Sequence, residues 1–314
     1  MLLGQWPLHS RHRTLSMVSL APLRLSPSPP SCIGLPGAQV FDLRSRRGCD
    51  YRIFVSIPAG ATATSPFPVL YFLDGNATFP IAAVSAALQA RRPQATGVGP
   101  AVIVGIGYPG DDYLDTPRRT FDYTPAVTAD EMPARPDGSS WPRCGGASVF
   151  LDFIEQELKP KLESEIAIDR QKQALFGHSF GGLLVLQALF TRPNDFSTYI
   201  AASPSIWFAK RQLLEQAGCF IAQSRDRTSR LDLLVTVGAL EQDARGAENG
   251  SFENTTWRRR NRMVENASEM VRYLSDHSNS GLNVSFKEFA DENHSSVLPA
   301  AISRAIAFAL GSKR

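Results

Sequence analysis

The chain has 314 residues, of which 43% are hydrophobic and 20% charged, with a formal net charge of +3. These values are typical of a globular protein with one large domain, and the charge is too small to indicate a nucleic-acid partner. No segment reaches the roughly 20 consecutive apolar residues that a membrane-spanning helix needs, so we expect no membrane partner. The four cysteines form no CxxC pair and no zinc-site pattern. We therefore expect reduced thiols, no metal or other cofactor, and a cytoplasmic location.

The first 36 residues are predicted to be a flexible tail, with residues 26–30 (Ser-Pro-Ser-Pro-Pro) as their most biased part. A broken apolar run covers residues 17–25, but a proline and an arginine interrupt it, unlike the core of a secretory signal. We expect a disordered leader or a true start at Met17, with export as the alternative. Residues 37–314 are expected to form a single domain.

Eight short segments predict β-strands. The first two alternate apolar and polar residues, as the half-buried strands of a hairpin do. Several of the others are continuous apolar runs, as strands buried on both faces require. The predicted strands are 38–43, 50–57, 68–73, 101–106, 174–176, 199–202, 231–237 and 282–289.

Helical periodicity separates most of the later strands. Strands that alternate with helices predict an α/β protein, with a mostly parallel sheet covered by helices on both faces and the N-terminal hairpin as its antiparallel edge. The basic run at residues 258–262 is interpreted as a solvated helix face. The predicted helices are 148–165, 180–189, 205–216, 256–277 and 300–310.

The segment from about 108 to 146 is rich in Asp, Pro, Arg and Thr and has no periodic pattern. Connections of this length in compact domains are usually functional or disordered. The segment follows the carboxyl end of a strand, which is the edge where open α/β sheets bind their ligands. We therefore expect a long loop on the substrate side.

The sequence Gly177-His178-Ser179-Phe180-Gly181 stands between a short apolar strand and an apolar helix. In that context G-x-S-x-G is the nucleophile elbow of α/β hydrolases, a strained turn that exposes the serine Oγ above the sheet. Side chains at the two glycine positions are expected to clash with neighbouring backbone. The pattern predicts an α/β-hydrolase fold with Ser179 as nucleophile; the alternative is a glycine-rich turn without chemistry.

A serine nucleophile needs a base within hydrogen-bond reach, and in this fold the acid and then the histidine follow the serine along the chain. Of the five histidines, His294 lies after the last predicted strand and before the last helix, so it is predicted to be the base. A solvent-facing loop histidine is the alternative. The acid is expected after the strand 231–237, where Glu241 precedes Asp243. A Ser-His dyad without an acid stays open.

The oxyanion hole needs backbone N–H groups aimed at the developing charge. One is expected from Phe180, the residue after the nucleophile. The other is expected from the turn that follows strand 68–73, where Gly75 permits a close backbone approach and Asn76 is the donor. A simple Asp-Gly turn is the alternative.

With these residues in place, the chain resembles the esterase D-like branch of the α/β hydrolases, and within it the siderophore esterases that cleave trilactone siderophores. The resemblance covers about residues 38 to 312 and implies that Ser179 and His294 are the catalytic pair, while leaving the acid open. The matching segments are 72–76, 118–125, 145–160, 176–184, 203–208 and 293–296.

The resemblance also implies candidate substrate contacts. Basic residues in the long loop of siderophore esterases face an anionic ferric catecholate, so Arg118 and Arg119 are candidates, or else two solvated arginines. Trp207 is a candidate wall of the acyl pocket by stacking, or else part of the core. His178 is a further candidate, although its side chain is expected to point away from Ser179 Oγ.

We therefore expect a serine esterase that works through a covalent acyl-enzyme on a small-molecule ester, with a ferric siderophore and a role in iron acquisition as the sharper hypothesis. Three alternatives remain. The first is a general carboxylesterase or thioesterase, similar to S-formylglutathione hydrolase. The second is an acyltransferase, and the third is a binding protein that keeps the hydrolase fold without its chemistry.

Overall fold

The computed structural model describes residues 34–35, 37–58, 66–223, 230–242, 252–277 and 281–311. The predicted tail, residues 1–36, lies outside this part of the chain except for Gly34 and Leu35. Among the described residues, no helix is both long and apolar enough to cross a lipid bilayer.

Eight strands form one sheet, and each overlaps a predicted strand. They are β1 (Ala38–Arg44), β2 (Asp50–Ser56), β3 (Phe67–Leu73), β4 (Val102–Gly107), β5 (Ile168–His178), β6 (Thr198–Ala202), β7 (Leu231–Gly238) and β8 (Leu282–Phe289). Their order across the sheet is β1-β2-β4-β3-β5-β6-β7-β8. The pairs β1–β2 and β2–β4 are antiparallel, and the other neighbours are parallel. The predicted sheet with its antiparallel N-terminal edge is confirmed.

Helices cover both faces of the sheet, because the strands present apolar side chains to both. In β3, Tyr71 and Leu73 belong to one core cluster and Leu70 and Phe72 to the other. The helices are α1 (Gly75–Ala90), α2 (Pro93–Thr96), α3 (Thr116–Tyr123), α4 (Ala147–Phe153), α5 (Lys159–Glu163), α6 (Phe180–Thr191), α7 (Leu213–Gln223), α8 (Phe252–Asn261), α9 (Met263–Asp276) and α10 (Val297–Leu310). A π-helical turn, Ile154–Leu158, joins α4 to α5.

Three predicted helices differ in detail. The predicted helix 148–165 contains the π-helical turn between α4 and α5. The predicted helix 205–216 is a 3₁₀ turn followed by α7, because Ala209 has a φ of 48° and Lys210 a φ of 51°, which an α-helix does not accept. The predicted helix 256–277 is broken into α8 and α9 by Arg262, whose φ is 47°.

The segment 108–146 contains regular structure that its sequence does not signal. It holds α3, and Thr120, Asp122 and Tyr123 on that helix are buried. Asp115 caps the helix, since its side chain accepts a hydrogen bond from the Arg118 N–H at 3.0 Å. The segment is therefore anchored by the buried residues of α3, while residues 124–146 are a long loop with one 3₁₀ turn, Ala129–Glu131.

Candidate active site

Ser179 lies on the tight turn between β5 and α6, with φ 61° and ψ −115°. This backbone conformation is strained for a non-glycine residue and exposes the side chain above the sheet. A Cβ on Gly177 would lie 2.3 Å from the Gly181 backbone, so this glycine is required. The expectation for Gly181 is wrong, because a Cβ there would meet no atom of the described residues closer than 3.5 Å. The tight position is Gly182, where a Cβ would lie 2.9 Å from the Ala202 carbonyl oxygen.

Three side chains form a hydrogen-bonded chain at the carboxyl edge of the sheet. His294 follows β8, and its Nε2 lies 3.1 Å from Ser179 Oγ. Its Nδ1 lies 2.6 Å from Oε2 of Glu241, which follows β7. A carboxylate accepts the Nδ1–H, which leaves Nε2 as an acceptor facing the serine hydroxyl. This geometry allows His294 to take the proton of Ser179. The alternative acid, Asp243, lies outside the described residues.

Glu241 is held firmly by its other oxygen. The side chain is buried, and Oε1 accepts hydrogen bonds from Ser203 Oγ at 2.5 Å and from the Gly238 N–H at 2.6 Å. Ser203 has a φ of 44°. These bonds leave Oε2 for His294. Sequence reasoning did not identify Ser203; the signal available was its place in the matching segment 203–208.

His178 lies against the base. Its ring centroid is 4.6 Å from that of His294, and its buried Nε2 has no hydrogen-bond partner among the described residues. Burial, together with the nearby His294 and Arg119, lowers the pKa of His178 well below its usual 6.5. The ring therefore stays neutral at neutral pH and does not repel a protonated His294. Among the described residues that line the cleft at Ser179, His178 does not appear.

The expected oxyanion donors stand at the first turns of two helices, where N–H groups have no intrahelical partner. Phe180 begins α6, and Asn76 is the second residue of α1. The Asn76 side chain binds the Tyr108 backbone twice, at 2.9 and 3.0 Å, and so ties this turn to the segment after β4. A Cβ on Gly75 would lie 2.7 Å from the Gly105 backbone, which confirms the close approach predicted there.

The structure corrects the view of Arg119 as a cation at the mouth of the site. Its side chain is buried and pairs with both oxygens of Asp74, at 2.9 and 3.0 Å. The same guanidinium donates to the His178 carbonyl at 3.4 Å. Arg119 thus links the turn before Asn76 to the residue before Ser179.

Arg118 takes a different position. Its guanidinium lies 5.3 Å from the Tyr51 ring centroid and 4.8 Å from that of Tyr108, and it donates to the Asp50 carbonyl at 3.3 Å. About a third of the side chain is exposed, at 34%. Among the described residues that line the cleft at Ser179, neither Arg118 nor Arg119 appears.

A cleft of about 350 Å³ opens at Ser179. Trp207 lines it, as predicted, and α8 supplies the residues Trp257 and Arg258. The basic run is exposed at Arg258, Arg259 and Arg260, as expected of a solvated helix face, and Arg258 also lines the cleft. The full lining is Ser179, Ser205, Trp207, Leu240, Glu241, Trp257, Arg258, Asn261, Met263, Asn293, His294 and Ser295.

A third tryptophan packs against Trp207 and Trp257, and we call the three residues the tryptophan wall. Trp141, from the segment 108–146, lies 6.0 Å from Trp207 and 6.1 Å from Trp257 between ring centroids. Trp207 and Trp257 are themselves 5.4 Å apart and edge to face. Sequence reasoning did not bring these three residues together, because they come from distant segments.

Comparison with known proteins gives a consistent picture. Residues 45–288 match the family model described as "Putative esterase". The chain is 40% identical over 277 residues to the ferri-bacillibactin esterase BesA of Bacillus subtilis, covering 88% of this chain and 90% of that protein. It is 36% identical to the siderophore triacetylfusarinine C esterase of Aspergillus fumigatus, covering 88% and 94%.

Solved structures of siderophore hydrolases and related proteins have the same fold as this chain. The BES protein from Bacillus cereus superimposes with a TM-score of 0.78 at 35% identity, covering 89% of this chain and 98% of that one. The siderophore hydrolase EstA from Aspergillus nidulans also gives a TM-score of 0.78, at 31% identity, covering 90% and 97%.

Proposed function

The chain belongs to this esterase family and has the α/β-hydrolase fold, and from that premise we propose that it is a siderophore esterase whose reaction Ser179, His294 and Glu241 carry out. The observation that supports the proposal most is the hydrogen-bonded chain from Glu241 through His294 to Ser179 Oγ, open to a cleft lined by tryptophan and arginine.

In acylation, Ser179 Oγ attacks the ester carbonyl while His294 Nε2 takes its proton. Glu241 accepts the Nδ1–H and stabilises the imidazolium that forms. The carbonyl oxygen becomes an oxyanion, which the N–H groups of Phe180 and Asn76 stabilise. His294 then gives the proton to the departing alkoxide, and the alcohol is released.

Deacylation repeats these steps with water as the nucleophile. His294 takes a proton from water, the hydroxyl adds to the acyl carbon, and the bond from that carbon to Ser179 Oγ breaks. His294 returns the proton to Oγ, and the carboxylic acid leaves. In a cyclic trilactone the acid and alcohol of the first ester stay in one molecule, so the first turnover opens the ring.

The cleft supports a large, anionic, aromatic acyl group. The Trp207 and Trp257 rings offer flat apolar surface, and Arg258 offers a fixed positive charge beside it. Two curated relatives are named for bacillibactin and enterobactin esterase activity. We propose that the tryptophan wall and Arg258, rather than Arg118 and Arg119, make the main contacts with a ferric siderophore.

The test is a substrate panel on the full chain: a ferric catecholate trilactone, p-nitrophenyl acetate and S-formylglutathione. We expect kcat/KM for the trilactone to exceed that for the thioester by at least about a hundredfold, the worth of roughly 3 kcal/mol of selective transition-state binding. Ser179→Ala should abolish turnover of all three and labelling by a fluorophosphonate. Equal turnover of trilactone and thioester would contradict the siderophore assignment, and an active Ser179→Ala variant would contradict the mechanism.

A further inference from the structure

A second serine hydroxyl lies beside the nucleophile. Ser205 Oγ is 3.4 Å from Ser179 Oγ, and the Ser205 side chain is buried but lines the cleft. The backbone holds the two residues together as well, because the Ser205 N–H donates to the Ser179 carbonyl at 3.1 Å. Ser205 follows β6, the strand next to β5, so the sheet register fixes its position.

The direction of the hydrogen bond between the two hydroxyls follows from counting protons. Glu241 accepts the Nδ1–H of His294, so His294 Nε2 carries no proton and acts as an acceptor. The single proton of Ser179 is directed to that nitrogen, at 3.1 Å. Ser179 Oγ can therefore only accept from Ser205, and Ser205 Oγ–H is the donor.

We propose that Ser205 is a further catalytic residue, one that stabilises Ser179 Oγ as the leaving atom of deacylation. The inference rests on the proposed role of Ser179 as nucleophile. In the acyl-enzyme, Oγ is an ester oxygen and accepts hydrogen bonds weakly. When the carbon–Oγ bond breaks, the bonding electrons stay on Oγ, and the hydrogen bond from Ser205 strengthens as the negative charge grows. The proton that neutralises Oγ comes from His294, and Ser205 keeps its own.

The contribution differs between the two half-reactions. Before acylation Ser179 Oγ is a hydroxyl that already accepts from Ser205, so the ground state and the transition state share the bond. Before deacylation the bond is weak, and it is gained mostly in the transition state. Loss of the hydroxyl should therefore slow deacylation more than acylation.

The experiment compares Ser205→Ala with the wild-type full chain on a p-nitrophenyl ester. Acylation is read from the burst of nitrophenol in stopped flow, and deacylation from the decay of acyl-enzyme by intact mass. We expect deacylation to slow about tenfold and acylation to slow less than about threefold, so that acyl-enzyme accumulates. The rate of fluorophosphonate labelling, which forms a bond to Oγ without releasing it, should also fall less than about threefold.

Two further variants make the result decisive. Ser45→Ala removes a buried serine hydroxyl at the β1–β2 turn, where it accepts from the Cys49 N–H, and should leave both rates unchanged. Ser205→Cys replaces the hydroxyl by a weaker donor and serves if the alanine variant does not fold; it should show the same selective slowing of deacylation.

Equal slowing of both steps, or wild-type rates for both, would overturn the role of Ser205 while leaving the esterase assignment intact. Failure of the esterase assignment itself would show differently, as turnover or labelling that persists in Ser179→Ala.

Discussion

Glu241 uses its two carboxylate oxygens for different tasks. Oε1 accepts from Ser203 Oγ and from the Gly238 N–H, both protein donors, whereas Oε2 faces His294 Nδ1. A side chain at this position must therefore present an acceptor at Oε1. An isosteric amide would satisfy this demand only by directing its NH₂ group toward the histidine.

Glu241→Gln is expected to reverse the tautomer of His294. With an amide donor at Nδ1, the ring must carry its proton on Nε2, where it can no longer accept the proton of Ser179. We expect kcat on a p-nitrophenyl ester to fall by roughly 10³ to 10⁴-fold, with KM little changed. The measurement is steady-state kinetics, with the exposed Glu215→Gln as control. A fall of less than about threefold would mean that the enzyme works as a Ser-His dyad.

The sequence predicted those residues whose position along the chain defines their role. The elbow pattern selected Ser179, and the order serine, acid, histidine selected His294 and put Glu241 first. Ser203 and Ser205 were not identified, because their proximity to Glu241 and Ser179 depends on the pairing of β6 with its neighbours. Nothing in a local pattern records that pairing.

At the scale of elements, α3 explains why the sequence misplaced Arg119. A sequence displays a charge but not its partner, and Asp74 lies 45 residues away from Arg119 along the chain. The helix brings the arginine beneath the β3–α1 turn, where its two hydrogen bonds to Asp74 and one to the His178 carbonyl connect both halves of the proposed oxyanion hole. A role in positioning fits this geometry better than a role in binding substrate.

Arg119→Lys keeps the charge but loses the planar fork that contacts both oxygens of Asp74 and the His178 carbonyl. We expect the variant to fold and kcat to fall about ten- to a hundredfold while KM for the siderophore changes little, because the donors of the oxyanion hole shift by a fraction of an ångström. The measurement is kcat and KM together with the melting temperature.

A matched control exists on the surface. Arg170 pairs with both oxygens of Glu163 but its side chain is 77% exposed, so Arg170→Lys should change neither kcat nor stability measurably. If Arg119→Lys instead raised KM for an anionic siderophore and left kcat unchanged, the sequence-based view of Arg119 as a substrate contact would be restored.

Sequence reasoning missed three helices, α1, α2 and α3, and α1 is the longest of them. The buried residues of α1 lie on one helical stripe, but its exposed face also carries the apolar side chains of Val84 and Leu88, so the sequence shows little contrast between the two faces. Similarly, the prediction began β5 at residue 174, six residues too late, because the N-terminal half of the strand is mostly polar and is exposed or half-exposed. Hydrophobic patterning reveals an element when its buried positions are apolar and its exposed positions polar. Neither α1 nor the first half of β5 shows that contrast.

At the scale of the whole molecule, the two parts of the site arise differently. The reacting groups sit at the carboxyl ends of β5, β7 and β8, which the fold aligns at one edge in any protein of this architecture. The tryptophan wall has no such rule behind it. Its three residues come from separate parts of the chain: Trp141 from the segment 108–146, Trp207 from the loop that follows β6, and Trp257 from α8. Only the folded chain brings them together.

This division predicts that the wall governs selection of substrate and not the chemistry. Trp257→Ala removes a cleft-facing ring without touching Ser179, His294 or Glu241. We expect KM for a ferric catecholate trilactone to rise about ten- to thirtyfold, as the loss of roughly 1.5 to 2 kcal/mol of aromatic contact implies, with kcat unchanged. Because p-nitrophenyl acetate is too small to cover the wall, its kcat/KM should stay within about twofold of the wild-type value.

Two further variants serve as controls. Trp257→Phe keeps an aromatic surface and should recover most of the affinity. Tyr273→Ala removes an exposed aromatic ring on α9 and controls for nonspecific effects. Equal losses on the large and the small ester would place Trp257 with the machinery of the reaction and refute the separation of wall from chemistry.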